Sequence, residues 1–530
     1  MAPPVLNRAP PPMSGSRHNP LTNLGVSPNL EPMFRFVLAL FATLACFAPA
    51  ASLASVSPAP PVRELSLEDC IRMALARNFD VQIQRFNPQI SRFNLEASRG
   101  SYDPNWTFSG TERFSKSDVQ IDPEFNVVIG GAETTTESGQ STISGVIPTG
   151  LNYSLFSSAN RRSGNRFRGS QYDSTLGIQL TQPLLRNLWI DAPRLAIRTG
   201  RLDLDISKHR LKDTIIRTVT LVENAYYDLI FAARNVEVQQ KSLSLAEQLL
   251  EDNRKRVKVG SMAPLEEKQA ESQVAARRAD LISAIQSLAT QQNTLKNLLT
   301  DDYIAWSDIE IKPRETLIAV EAPFDKQASW RKGIASRPDL LILKDQLERE
   351  NINVRYRHNQ LFPSLDLTAS YNQVGLDSNP GDTIGEALAG NNPNYSIGAR
   401  VTIPLGNRAA RNRYHASKVA KMQAILRVKQ TEQSVLVEID NAIRNAESTY
   451  RRVEATRDAR EYAEAALAAE EKKLANGAST SFVVLQMQRD VTNARSSEIR
   501  AIADYNKALA SVASSEASTL ERKNIELDFE

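Results

Sequence analysis

Between Arg411 and Asn476 the chain has neither proline nor glycine, and from Ile425 on its apolar residues recur every three or four positions. Val428, Val435 and Ala442 fall seven apart, while Ile425, Ile439, Ala446 and Val453 form a companion series broken only at Glu432. Leu436, Ile443 and Tyr450 widen the stripe on one side. This is a heptad seam, the pattern of a helix that packs along other helices. A helix of that length runs about 100 Å, and Gly477 marks its end.

The rest of the chain is read against this helix. Ser66-Leu67-Glu68-Asp69 is a capping-box start. Ile71, Leu75, Phe79, Phe86, Ile90 and Phe93 carry a helical pattern to about Arg99, with a kink or short break expected at Pro88. Trp106 and Phe108 then alternate with polar neighbours, as in a strand. Residues 115–145, rich in Gly, Ser and Thr, read as loop. Runs at Thr142–Ile147 and Leu151–Phe156, joined by Pro148-Thr149-Gly150, read as a further hairpin. Leu176, Ile178 and Leu180 form another alternating strand. A long helix is expected from about Leu195 to Val259, on a seam of Ile215, Val219, Val222, Tyr226, Leu229, Ala233 and Val236. Gly260 to Pro264 turn the chain. A second helix returns to Leu299 with Val274, Leu281, Leu288 and Leu295 seven apart. Residues 301–325 are irregular, with a short strand expected at Ile309–Ile311.

The same series then recurs. Trp330, Ile334, Asp339 and Pro363 stand 259 positions after Ile71, Leu75, Asp80 and Pro104. Gly398, Thr402 and Pro404 stand 221 after Gly177, Thr181 and Pro183. An offset of 217 superposes Asp440-Asn441-Ala442 on Glu223-Asn224-Ala225, Gly477 on Gly260, Gln486 on Gln269 and Val491 on Val274. The offset changes only where a loop changes length, so the first strand pair carries 38 extra residues. This is an internal duplication, each copy reading helix, strand, strand, long helix, turn, helix.

In the second copy Leu365, Leu367, Ala369 and Tyr371 face one way, and Asp366, Thr368, Ser370 and Asn372 the other. Tyr395, Ile397, Ala399, Val401 and Ile403 alternate in the same manner. Such alternation suits a soluble sheet on a core, or an outer-membrane barrel with its apolar face toward lipid. The helical seams are already used against each other, which leaves the sheet no core. Four main strands, or six with the extra hairpin, cannot close the smallest eight-stranded barrel, and open edges are not tolerated in lipid. Strands that cross a membrane here require an oligomer.

Composition adds little except at the amino terminus. A net charge of +3 over 530 residues, with no dense basic cluster, gives no reason to expect nucleic acid as a partner. Residues 1–32, rich in Pro and Asn, read as disorder or as sequence upstream of a start at Met33. Phe36–Phe47 is apolar except for Thr43 and too short to span a bilayer. Small residues follow it, so 33–54 reads as a secretory signal cleaved near Ala50–Ala54. Thr43-Leu44-Ala45-Cys46 is a poor lipoprotein box, with Thr where Leu is usual, so Cys46 reads as a small residue of the signal rather than a lipidation site. Cys70 is then the only cysteine of the mature chain, which excludes an intramolecular disulfide. The four histidines are scattered and offer no metal-ligand set. No phosphate-binding loop and no nucleophile–base set is present, so no cofactor, metal or catalytic residue is expected.

Signal, duplication, alternating strand pairs and long helical hairpins together resemble the TolC-like outer-membrane efflux protein family, over nearly all of residues 65–516. The most family-like pieces are Leu65-Ser66-Leu67-Glu68-Asp69, Ala74-Leu75-Ala76-Arg77-Asn78, and Gly477 followed by Phe482-Val483-Val484-Leu485-Gln486. Thr181-Gln182-Pro183-Leu184 and Thr402-Ile403-Pro404-Leu405 match its strand endings. The resemblance implies a mostly α chain with membrane β: a homotrimer sharing a twelve-stranded β-barrel in outer-membrane lipid, above a long periplasmic α-helical barrel. It divides the chain into a first repeat at 65–300 (strands about 105–182, hairpin about 195–300) and an irregular equatorial connection at 301–325. A second repeat follows at 326–516 (strands about 364–404, hairpin about 411–516), then a flexible tail at 517–530.

The resemblance further implies an exit duct without enzymatic activity, docked to a periplasmic adaptor (membrane fusion) protein and driven by an inner-membrane RND, ABC or MFS pump. The hairpin tips Val259, Gly260, Ser261, Met262 and Asn476, Gly477, Ala478, Ser479 would be the adaptor-docking surfaces. Acidic residues ring the tunnel entrance in some family members. Here Val483 and Gln486 stand at those positions in the second copy, while the first offers Glu266 and Glu267, with Gln269 opposite Gln486 in the duplication. Acids at a helix start also favour its dipole. The rival class is a periplasmic or surface coiled-coil scaffold without a pore, which has no need of alternating strands.

Overall fold

The computed structural model describes residues 61–526 apart from 119, 123, 125, 126 and 130. The expected disordered segment, the signal and Cys46 lie outside the described residues. The first copy opens with β1 (Val62–Leu65), α1 (Leu67–Arg77) and α2 (Phe79–Arg99), followed by strands β2 (Asn105–Lys116), β3 (Gln120–Asp122), β4 (Val127–Ile129), β5 (Glu133–Val146), β6 (Asn152–Gly164) and β7 (Gln171–Pro183). Helices α3 (Ala192–Lys258) and α4 (Pro264–Leu299) form its hairpin. A connection holds α5 (Tyr303–Trp306) and β8 (Glu310–Pro313). The second copy comprises α6 (Lys326–Ser336), α7 (Pro338–Asn359), β9 (Ser364–Asp377), α8 (Pro380–Ala389), β10 (Pro393–Thr402), α9 (Arg408–Ala475) and α10 (Ser481–Ser515), with a last turn α11 (Thr519–Arg522).

The capping box forms at Ser66, whose hydroxyl accepts from the Asp69 amide at 3.1 Å. The break in the first helical stretch falls at Asn78 rather than at Pro88, through which α2 runs on. Asn78 ends α1 in extended conformation, and its side-chain oxygen accepts from the Asp80 and Val81 amides, so one residue closes one helix and opens the next. The second copy breaks at the equivalent Arg337, where Pro338 begins α7.

The strand region corrects the sequence reading more substantially. Much of the stretch expected to be loop is strand: β5 pairs with β2 over Glu133–Ser144 and with β6 over Thr134–Val146. Its Thr, Ser and Gly residues lie on both faces, so no alternation betrays it. The extra hairpin thus enters the main sheet, whose order is β10-β9-β7-β6-β5-β2. Among the described residues one chain supplies six strands to this sheet, where a twelve-stranded trimer needs four. Register makes the two faces plain. One row reads Trp106, Ile143, Leu155, Ile178, Tyr371, Tyr395, and the adjacent row on the opposite face reads Asn105, Ser144, Ser154, Gln179, Ser370, Ser396. At the loop end α8 lies on the apolar side of β7 and β9, where the Ser174 hydroxyl donates to the Thr383 carbonyl at 2.8 Å.

The core is helical. The largest cluster gathers Ile71 and Ala74 of α1, Ile215, Val219, Val222 and Tyr226 of α3, and Leu295 and Leu299 of α4. Ile311 of β8, which pairs in parallel with β1, and Leu520 of the tail join it. The start of the tail expected to be flexible is therefore buried. Lys523 pairs with the buried Glu223 at 2.7 Å, and Ser329 donates to the Glu516 carboxylate. A second cluster joins Val435, Ile439, Ala442 and Ile443 of α9 to Ala508 and Val512 of α10, under Trp330 of α6.

Candidate conduit and docking tips

The four long helices pack in the order α4-α3-α10-α9. The predicted seam is the buried stripe: Val428, Val435, Ile439, Ala442, Ala446 and Val453 are all covered. Between the two hairpins, α3 and α10 meet through a polar ladder that the periodicity did not reveal. Ser481 donates to Asn253 at 2.9 Å, Thr492 to Ser242 at 3.0 Å, and Ser496 to Asn235 at 2.8 Å. Further toward the equator Asp228 receives Lys507 at 2.9 Å and Arg500 at 3.3 Å. The only signal in the sequence was small polar residues among the Leu and Val of the two stripes. The row also ends with apolar side chains still exposed: Ile282 and Ile285 on α4, Val419, Met422 and Leu426 on α9.

The two tips share one geometry. Gly260 and Gly477 sit at φ +75° and +73°, each just past a helix end. The Gly260 amide donates to the Val257 carbonyl at 3.0 Å and the Ser261 amide to that of Arg256 at 2.9 Å. In the second tip Gly477 donates to Leu474 at 3.1 Å and Ala478 to Lys473 at 2.8 Å. Each is a Schellman cap, which satisfies the last carbonyls and needs the left-handed residue that glycine supplies. Val259 is highly exposed, Ser261 is exposed and Met262 half-buried; Asn476, Gly477 and Ala478 are exposed and Ser479 half-buried.

Electrostatics separates the tips. In the first, Arg254 reaches Glu271 at 3.0 Å and Glu267 at 3.4 Å, and Lys268 reaches Glu271 at 2.8 Å. Hydrogen bonds from Lys268 and then Arg254 hold the Glu271 carboxyl below the usual range. In the second, Ser479 and then Lys473 do the same for Glu470. Glu266 is half-buried, with one carboxylate oxygen covered and without a hydrogen-bond partner. Gln269 and Val483 are half-buried and Gln486 is exposed.

A family model described as "Outer membrane efflux protein" matches residues 144–300 and 331–515, covering most of both duplicated halves. The chain belongs to the outer membrane efflux protein family. Its place is accordingly the outer membrane, with the helical part in the periplasm. Among curated relatives it is 25% identical over 319 residues to the outer membrane efflux protein BepC of Brucella suis, a stretch covering 60% of this chain and 66% of that one. It is 23% identical over 313 residues to the pyoverdine export outer membrane protein OpmQ of Pseudomonas aeruginosa, covering 58% and 62%. The matched stretches thus span just under two thirds of either relative. The fold matches the Campylobacter jejuni CmeC outer membrane channel with a TM-score of 0.62 at 14% identity, over 87% of each chain.

Proposed function

We propose that this outer membrane efflux family protein is the exit duct of a tripartite efflux or type I secretion system, a homotrimer that conducts cargo passively once docked to a periplasmic adaptor and an inner-membrane pump. The observation that carries this reading is the six-stranded sheet. Away from α8 its apolar face is largely uncovered, with Trp106, Phe108, Tyr395 and Ile397 each about three-quarters exposed, and among the described residues both its edges, β2 and β10, are unpaired. Lipid can cover that face, and only neighbouring copies can close those edges. A coiled-coil scaffold would leave both features without a purpose.

Three six-stranded sheets pool eighteen strands. At about 4.8 Å between strands and a tilt near 40°, such a barrel has a circumference of about 110 Å. Twelve long helices side by side at about 9 Å also span about 110 Å, whereas twelve strands would give only about 75 Å. The inserted hairpin β5–β6 therefore makes the membrane barrel flush with the helical tunnel, and size selection falls to the helical end. There the two tips are the adaptor-docking surfaces and Glu266 lines the entrance beside Gln269, Val483 and Gln486. The test is electron microscopy and planar-bilayer recording of detergent-extracted protein. The reading expects a trimer with eighteen strands and an ohmic pore whose cation preference falls in Glu266→Gln. A monomer with its sheet covered by its own chain would end the conduit reading; an unchanged Glu266→Gln pore would end only that residue's role.

A further inference from the structure

The apolar face of the six-stranded sheet carries one row with almost no side chains. Across five strands the register aligns Gly110 of β2, Gly139 of β5, Ala159 of β6, Ser174 of β7 and Gly375 of β9 as a shallow trough. Helix α8 fills one end of it. A Cβ on Gly375 would run into the Thr383 carbonyl oxygen, and Ser174 bonds to that same oxygen, so here the small residues admit a backbone. The other end is open. A Cβ on Gly110 would meet nothing within 4 Å, and one on Gly139 only the Ala159 carbonyl oxygen at 3.9 Å. Neither glycine has a positive φ. A glycine inside a strand weakens it, and among the described residues nothing at these two positions requires one. The space they keep is for something outside the chain.

That open end is a cavity of about 600 Å³, within the size range of built ligand sites. Gly139 and Ala159 form its floor, and Pro380, Thr383 and Ile384 of α8 one wall. Its height fixes the kind of ligand. From Leu365, at the foot of the apolar face, β9 climbs to Gly375 over a rise of about 26 Å, taking about 3.4 Å per residue and a tilt near 40°. This is the height of the apolar band of an outer-membrane barrel, about 25 Å. The trough thus lies at the edge of the hydrocarbon in the leaflet away from the periplasm. The next row, Glu112, Glu137, Arg161 and Tyr172, lies among headgroups and rims the cavity. Beside it α8 exposes Ile384 and Leu388 to the same lipid.

The rim selects the headgroup. Glu137 and Ser170, each at 3.2 Å, hold the Arg161 guanidinium in place and leave its third nitrogen uncommitted. The β6–β7 turn just beyond adds the exposed Arg166 and Arg168. Arginine is the residue suited to phosphate. Glu112 stands opposite Glu137 on the same face and can accept hydroxyl groups. We infer that the open trough binds an acylated phosphoglycolipid of the outer leaflet. One acyl chain lies over Gly110 and Gly139 against α8, the phosphate meets Arg161, and the sugar hydroxyls meet Glu112.

This inference rests on the outer-membrane barrel of the conduit reading, and its test keeps the two apart. Full-length protein, delipidated in mild detergent, is titrated with hexa-acylated diphosphoryl lipid A, its dephosphorylated form and phosphatidylethanolamine, and retained lipid is counted by native mass spectrometry. Lipid A should saturate at one per subunit and bind about tenfold more tightly than either comparator. Gly139→Leu, which fills the trough, should lose that retention with the oligomer intact. Gly110→Leu, placed in open space, gives the same readout if the first variant misfolds. Arg161→Gln should remove the preference for the phosphorylated form and leave acyl binding. A benzophenone attached at Gly139→Cys should capture the lipid; Cys70 is buried and gives no background. Equal retention of all three lipids, or of lipid A by wild type and both Leu variants, would overturn the site. Capture of a neighbouring subunit by the benzophenone would assign the trough to a second copy and overturn it equally. A protein that binds lipid A as expected and conducts no ions would instead count against the conduit and leave the site standing.

Discussion

Where the first copy has Ala74 on its short helix and Val222 on the long one, the second has Gly333 and Ile439. One methyl group has moved across the contact. The exchange keeps the volume constant: a Cβ on Gly333 would come within 2.5 Å of the Ile439 Cδ1 atom. Ala74 and Val222 share one fully buried cluster in the first copy, and Ile439 is fully buried in the second. The two halves thus hold the same backbone by different packing. They diverge where their surroundings diverge, in the strand insertion of the first copy and in the charged rather than apolar outer face of α7.

The largest way to break this comparison lies at the crossings. After α4 the chain passes to the second copy, where Tyr505 donates to the Val320 carbonyl at 2.6 Å. After α10 it passes back, and Leu520 enters the first copy's core. Leu520→Ala should cost about 3 kcal/mol, seen as a lower unfolding temperature, with hydrogen-exchange protection lost around α1 and the end of α4. Loss confined to the last ten residues would mean the tail is merely an appendage.

A smaller effect sharpens the exchanged methyl. Gly333→Ala should destabilise by about 1–2 kcal/mol through overpacking, and Ile439→Val in the same chain should recover most of it. A double-mutant cycle in denaturant measures the coupling; strict additivity would show that the two positions do not share volume. Smallest are the tips. Gly260→Ala and Gly477→Ala should each cost about 1 kcal/mol, because the left-handed backbone penalises a Cβ while open space surrounds both positions. The two costs should agree within about 0.5 kcal/mol. A markedly larger penalty at one tip would show that its surroundings, not its backbone, set the price.

What the sequence made legible was local or periodic. The heptad seam, the duplication and the glycine turns depend on spacing along one helix or on the backbone of one residue, and all are present in the structure. The helical series on Ile71, Phe79, Phe86 and Phe93 reads in the sequence as one stripe. It splits at Asn78 into a buried part and an exposed part, because only tertiary packing decides which apolar residues find cover. Strand β5 escaped notice since Thr and Ser carry no sidedness and its stability comes from backbone bonds to β2 and β6. The tail escaped for a related reason: Leu520 and Ile525 are too few to make a pattern, and their partners lie some 300 positions earlier. At the tips the glycines were plain, but the covered oxygen of Glu266 and the Arg254–Glu271 pair depend on how two helices meet.

The two crossing segments have a mechanical consequence. A force that pulls the halves of one subunit apart, as when neighbouring hairpins are levered sideways, must strip the connection from one half and the tail from the other at the same moment. Straps loaded in parallel share tension, so the equator resists prying.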